Sequence, residues 1–163
     1  MGEAYYVFFK LREINSDMIR TLLGRLMRSK TQVTFSQMVN DVRVNLSEEK
    51  SIDLYLESFV QQKDYTVFWC NSPCIEFNLS IIKNKNYKFI REGDIYFGIS
   101  VWEQQIKFDD DPDSFDYKKP APLSYEQTKA ITKKSVSNFL DVLKVLCETL
   151  KPEYGWGGHE ATM

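Results

Sequence analysis

The sequence predicts an α+β fold: an antiparallel β-sheet of meander type, with an N-terminal helix and a long C-terminal helix packed on one face. Two apolar stripes carry the helical half of that prediction. Met18, Ile19, Leu22, Leu23, Leu26 and Met27 recur at the three-and-four spacing of a one-sided helix, and Val136, Phe139, Leu140, Leu143, Leu146, Cys147 and Leu150 do so again near the C-terminus. The third observation is a series of β-branched and aromatic runs between residues 65 and 102, separated by turns far shorter than the crossover of about a dozen residues that parallel pairing needs. Two one-sided helices need a layer to bury against, and the sheet supplies it.

Ala4 to Arg12 reads as the first strand, with Tyr6, Phe8 and Lys10 on one face and Tyr5, Val7, Phe9 and Leu11 on the other. Apolar residues on both faces predict a central strand. Asn15 or Ser16 caps the first helix, whose exposed side carries Arg20, Arg25 and Arg28. Val33 and Phe35, then Val42, Val44 and Leu46, alternate as a hairpin turning at Asn40-Asp41. Ser51 to Gln62 fits a helix through Ile52, Leu56, Phe59 and Val60, yet Ile52, Leu54 and Leu56 also alternate, so both readings stand.

The meander comprises Tyr65–Cys70, Cys74–Lys83, Tyr87–Arg91 and Ile95–Trp102. Its breaks, Asn71-Ser72-Pro73, Asn84-Lys85-Asn86 and Glu92-Gly93-Asp94, hold the residues that turns require. After Pro120 and Pro122, Ser124 and Gln127 match a capping box, and the helix they open ends before Pro152. At about 1.5 Å per residue that helix is long enough to cross several strands.

The chain has 163 residues, 21 Lys+Arg against 23 Asp+Glu, and 14% aromatic residues. That length supports one domain over residues 1–163 with a self-sufficient core. Near-balanced charge argues against a dedicated nucleic-acid binder, whose affinity rests on Lys and Arg neutralising phosphates. Glu3 and the short apolar run of Met1 to Lys10 do not match a secretion signal, and no stretch approaches the ~18 apolar residues of a membrane helix, so a cytoplasmic protein is expected. Three cysteines, Cys70, Cys74 and Cys147, fit a reducing compartment. With His159 they equal the ligand number of a zinc site, but the spacing lacks the close pairs of such sites, and no metal or cofactor is expected. Cys147 reads as core, and Cys70 and Cys74 as small hydrophobes flanking a turn.

Asp109, Asp111 and Asp113 imitate the start of a calcium loop, but Ser114 stands where the sharp-turn glycine belongs and Pro120 where the bidentate Glu belongs. With Asp110 and Asp116 they form a solvated acidic loop or a negative patch for a basic partner. The tail from Tyr154 to Glu160 reads as a terminal loop with Tyr154 or Trp156 tucked on the sheet. Its glycines follow a helix, whereas phosphate-binding glycines precede one. Tyr5, Tyr6, Tyr55, Tyr65, Tyr87, Tyr96, Trp69 and Trp102 exceed what one small core needs, and such residues are enriched at interfaces.

The segment Cys147-Glu148-Thr149-Leu150-Lys151-Pro152-Glu153-Tyr154-Gly155-Trp156, closing a long amphipathic helix, resembles the endings of some bacterial immunity proteins of polymorphic toxin systems. The resemblance implies a small cytosolic α+β protein that binds and blocks one cognate toxin without catalysis, and it assigns no functional residue. The residues themselves lead to a protein-binding domain presenting Asp109, Asp110, Asp111, Asp113, Asp116, Trp69, Tyr96 and Trp102 to one protein partner, which the resemblance would make a basic toxin domain. The alternative is a small enzyme or small-molecule-binding domain with a pocket over the sheet at His159, Trp156 and Glu160. A third reading is an oligomer-forming module, a homodimer joined through the aromatic strands.

Overall fold

In the computed structural model, residues 4–39, 42–46, 65–72, 75–82, 91, 93–102 and 124–160 are described; at 37–39, 42–46, 65–69, 128, 159 and 160 the description is of the backbone alone. Among them, strand β1 (Ala4–Leu11) is apolar on both faces because it runs inside the sheet, between β6 (Ile95–Trp102) and β7 (Tyr154–Glu160). The other strands are β2 (Thr34–Val39), β3 (Val42–Leu46), β4 (Tyr65–Asn71) and β5 (Glu76–Ile82). The seven-stranded order is β3-β2-β4-β5-β6-β1-β7, and every pairing is antiparallel.

Helix α1 (Ser16–Arg28) begins where Asn15 caps it, its side chain accepting from the Met18 N–H at 2.9 Å. Helix α2 (Tyr125–Leu150) opens on the capping box: the Gln127 N–H donates to the Ser124 hydroxyl, and the Ser124 N–H donates to the Gln127 side chain. Ile19, Leu22, Leu23 and Leu26 of α1 and Phe139, Val142, Leu146 and Leu150 of α2 share one core with Phe9, Leu11, Phe35, Phe77, Leu79, Ile81, Phe97, Ile99 and Val101. Strand alternation puts the contributing residues of β1, β5 and β6 on a single face, so both helices cover the same side of the sheet.

The hairpin expectation holds in register: Val39 pairs with Val42, leaving the two residues Asn40 and Asp41 to connect them. Between β4 and β5, the Ser72 N–H donates to the Ile75 carbonyl at 2.9 Å, which closes the turn expected at that serine. The third of the four expected meander strands, Tyr87–Arg91, does not lie between its neighbours in the sheet. β5 pairs directly with β6, and Arg91, its one described residue, lies outside any strand. Residues 51–62 and the rest of 87–91 lie outside the described residues.

Three helical and tail expectations are corrected. Arg25 does not stand free on the outer side of α1; its guanidinium donates to Glu148 at 2.7 Å and to Thr149 at 2.6 Å, tying α1 to α2. Cys147 is exposed rather than core, and Leu140 is exposed with it, because the buried line runs through Thr132, Ser135, Phe139, Val142, Leu146 and Leu150. Residue 147 is turned about 100° from 146, off that line. The tail is not a loop but a strand. Lys151 takes a left-handed conformation with φ of 45°, its N–H bonds the Cys147 carbonyl, and the Glu153 N–H reaches the Lys10 carbonyl, so the chain reverses onto β1.

Candidate functional site, an aromatic row on the helix-free face

On the face turned away from the helices, β6, β1 and β7 bring together Tyr96, Phe8, Tyr6, Lys10, Tyr154 and Trp156, positions paired across the strands. The Trp156 ring meets Phe8 at 5.6 Å, Tyr154 at 6.0 Å and, edge-on, Tyr96 at 5.0 Å between centroids; Tyr6 stacks on Phe8 at 5.9 Å. Such offset and edge-to-face contacts each add about 0.5–1.5 kcal/mol beyond area burial. Tyr96 and Ile82 are buried beneath them, a second small core.

Glycines make room for the rings. Gly98 lies opposite Phe8, and a Cβ there would stand 3.2 Å from the Phe8 ring and 2.6 Å from the Ser80 hydroxyl. Gly155 lies opposite Phe9 on the helix side, where a Cβ would meet the Phe9 ring at 2.8 Å. A ring laid over a facing glycine restores the cross-strand contact that the glycine lacks.

The charged end of the row is fully satisfied. Lys10 Nζ is 3.0 Å from Asp94 and 5.8 Å from the centre of the Tyr154 ring, and the Tyr96 hydroxyl donates to the other Asp94 oxygen at 3.2 Å. The hydrogen bond from Lys10 holds the Asp94 carboxyl below its ordinary value, and the same bond holds the Lys10 ammonium above its own. Burial, with help from Tyr154 and Asp94, pushes the Tyr96 phenol well up. All three groups therefore keep a fixed charge through the neutral range.

The structure distributes the sequence-predicted residues unevenly. Trp102 ends β6 opposite Ala4 and is 43% exposed. Tyr96 is only 2% exposed, so it supports the row from beneath and offers no surface to a partner. Trp69 pairs with Ser36 and Asn78, and its side chain lies outside the described residues, as do Asp109, Asp110, Asp111, Asp113 and Asp116 entirely. His159, Trp156 and Glu160 all fall on β7, but position 159 is in register with Tyr5, whereas 156 and 160 are in register with Phe8 and Ala4. Alternation sets position 159 on the opposite face of the sheet from the other two.

Lys10, Asp94 and Tyr154 were missed as a set. The signal was present in Lys10 alone, one charge amid the aromatic residues of β1, and its partner was hidden because only register reveals that the end of β1 meets the start of β6. Cys70 is buried, and desolvation raises its thiol far above the ordinary range; Cys147 is raised by partial desolvation. Among the described residues, no group of three or more His, Cys, Asp or Glu side chains is placed to hold a metal ion, and no helix is long and apolar enough to cross a membrane. Compared with family models, curated proteins and solved structures, the chain matches none.

Proposed function

We propose that this chain is a non-catalytic, cytoplasmic protein-binding domain whose contact surface is the aromatic row, and that its partner is a single protein. The row itself carries the reading. With Trp102 added on the same face opposite Ala4, the surface reaches to Tyr154, opposite Lys10, six residue steps of β1, about 20 Å at roughly 3.4 Å per residue. Trp102 and Tyr154, at the two ends of that surface, are 43% and 52% exposed. Tyr and Trp in such a position are the side chains that dominate interface energetics.

Electrostatics favours contact over chemistry. A general acid or base works best with a pKa near the operating pH, yet Asp94 is held ionised and Lys10 and Tyr96 are held protonated. The finer form of the proposal is an immunity-like inhibitor of a cognate toxin, in which Asp109, Asp110, Asp111, Asp113 and Asp116 steer a basic toxin domain toward the row.

The test uses the product of the adjacent reading frame, titrated calorimetrically with the wild type and with Trp102→Ser and Tyr154→Ser. Each substitution is expected to weaken Kd tenfold or more, about 1.4 kcal/mol, with the circular dichroism spectrum unchanged and, for Tyr154→Ser, a small fall in melting temperature from the lost contact with Trp156. Absence of binding by the wild type, or equal affinity of all three proteins, overturns the proposal.

A further inference from the structure

We propose that the flank of α2 turned away from α1 is a docking surface for an amphipathic helix of a partner protein, one with an apolar seam and acidic borders. Val136, Leu140, Leu143 and Cys147 follow one another in steps of four, three and four residues, the spacing by which one helix seats its side chains between those of another. They form a second line beside the buried one. Leu140 is 58% exposed and Cys147 is exposed, while Val136 and Leu143 are half-buried, Leu143 packed in part against the core. Helix α1 does not cover this line. Thr149, which accepts from Arg25 of α1, lies nine residues from Leu140, about half a turn round the helix. The surface is independent of the aromatic row, which occupies the other face of the sheet.

Charge selects the occupant. Lys133, Lys144 and Lys151 border the seam and are all exposed, and among the described residues none of them is paired with a carboxylate. The nearby carboxylates are committed elsewhere, Glu148 to Arg25 at 2.7 Å and Glu153 to Arg12 at 2.9 Å. Asp141 is turned about 100° from Leu140, off the seam, and Glu126 stands about 10 Å along the axis from Lys133. Acidic side chains bordering a partner's seam would meet these lysines as flanking charges do in paired helices. A second copy fits badly. In a parallel pairing each lysine faces its own counterpart, and in an antiparallel pairing centred on Leu140, Lys129 faces Lys151. A membrane surface fits no better, since Ile131, the other exposed large apolar residue of α2 at 50%, is also nine residues from Leu140 and lies on the opposite flank. The chain's own acidic run, Asp109 to Asp116, is broken by Pro112 and brings only Phe115 as an apolar side chain.

The test titrates the isotope-labelled chain with a synthetic peptide of about three heptads, Leu at its core positions and Glu at its flanking ones, where the like charges keep the peptide from pairing with itself. Backbone amide signals of α2 around Leu140 and Lys144 should shift, with Kd on the order of 100 micromolar, and added salt should weaken the binding. Leu140→Ser and Lys144→Glu, both at exposed positions, should each weaken it about tenfold with an unchanged circular dichroism spectrum. A twin peptide with Lys in place of Glu should not bind. Trp102→Ser should bind the acidic peptide like the wild type, so this result stands or falls apart from the aromatic row. The proposal is overturned if no α2 signal shifts at millimolar peptide, if the lysine twin binds equally, or if both α2 variants keep wild-type affinity. Attachment of the chain to phosphatidylglycerol vesicles that Leu140→Ser abolishes would overturn it in favour of a membrane surface.

Discussion

The two faces of the sheet are built from the same strands by different physics. On the helix side, Phe77, Leu79 and Ile81 of β5 and Phe97, Ile99 and Val101 of β6 are at most 2% exposed. On the other side the intervening positions are Asn78, Ser80 and Ile82, then Gly98, Ser100 and Trp102, with Tyr6, Phe8 and Lys10 beside them on β1. The first face is packed against two helices and has no room for change, because interiors are close-packed and large-to-small changes leave cavities. The second is held by ring-on-ring contacts, the Phe8 ring over Gly98 and one ion pair, and Trp102 and Tyr154 on it are 43% and 52% exposed. The packed face and the proposed contact face are thus separated by a single residue step along each strand.

The largest effect that would break this contrast comes from β6 itself. Phe97→Ala should cost about 3–5 kcal/mol, whereas Trp102→Ala, five residues along and half-open to solvent, should stay within about 0.5 kcal/mol. Urea unfolding with a constant m-value measures both; similar losses would mean that the second face is as much core as the first. A smaller effect divides the glycines of β7. At Gly155 a Cβ meets the Phe9 ring at 2.8 Å and the Phe8 carbonyl at 3.1 Å, so Gly155→Ala should cost about 1–3 kcal/mol. Gly158→Ala meets nothing and should be neutral or stabilise by up to about 1 kcal/mol through the unfolded chain. The reverse order in the same unfolding experiment would place β7 in a different register.

Much of the first face was legible in the sequence, and the second face was legible only in part. Apolar periodicity located α1, α2 and the strands, since burial against one layer writes a regular stripe. The capping residues Asn15 and Ser124 marked the helix starts for the same local reason. Thr132 and Ser135 concealed part of the buried line of α2, because two polar residues occupy it and break the apolar pattern. The tail was hidden more deeply. Tyr154-Gly155-Trp156-Gly157-Gly158 has the composition of a loop, and it becomes a strand through β1, a sequence-distant partner whose Phe9 and Val7 stand opposite its glycines. Local propensity cannot report a contact made across nearly the whole chain. The candidate site depended on that pairing, so its aromatic members were visible while their grouping with Lys10 and Asp94 was not.

The smallest expected effect sharpens the contrast from the electrostatic side. Asp94 is held below its ordinary value of 3.8, chiefly by the hydrogen bond from Lys10, so the stability it contributes is present above that value and is lost as pH falls through the depressed one. Lys10 is held above its ordinary value of 10.5 by the same bond, so its contribution is present below that value and is lost as pH rises through the raised one. Between these limits neither group changes protonation in either state. Asp94→Asn removes the shared bond, and the difference in stability between wild type and variant should be constant from about pH 5 to pH 9 and shrink toward both extremes. Melting temperatures recorded across that range check it. A difference that instead changes steeply near pH 7 would show a group titrating within the row, and the fixed charge on which the proposed contact reading rests would be lost.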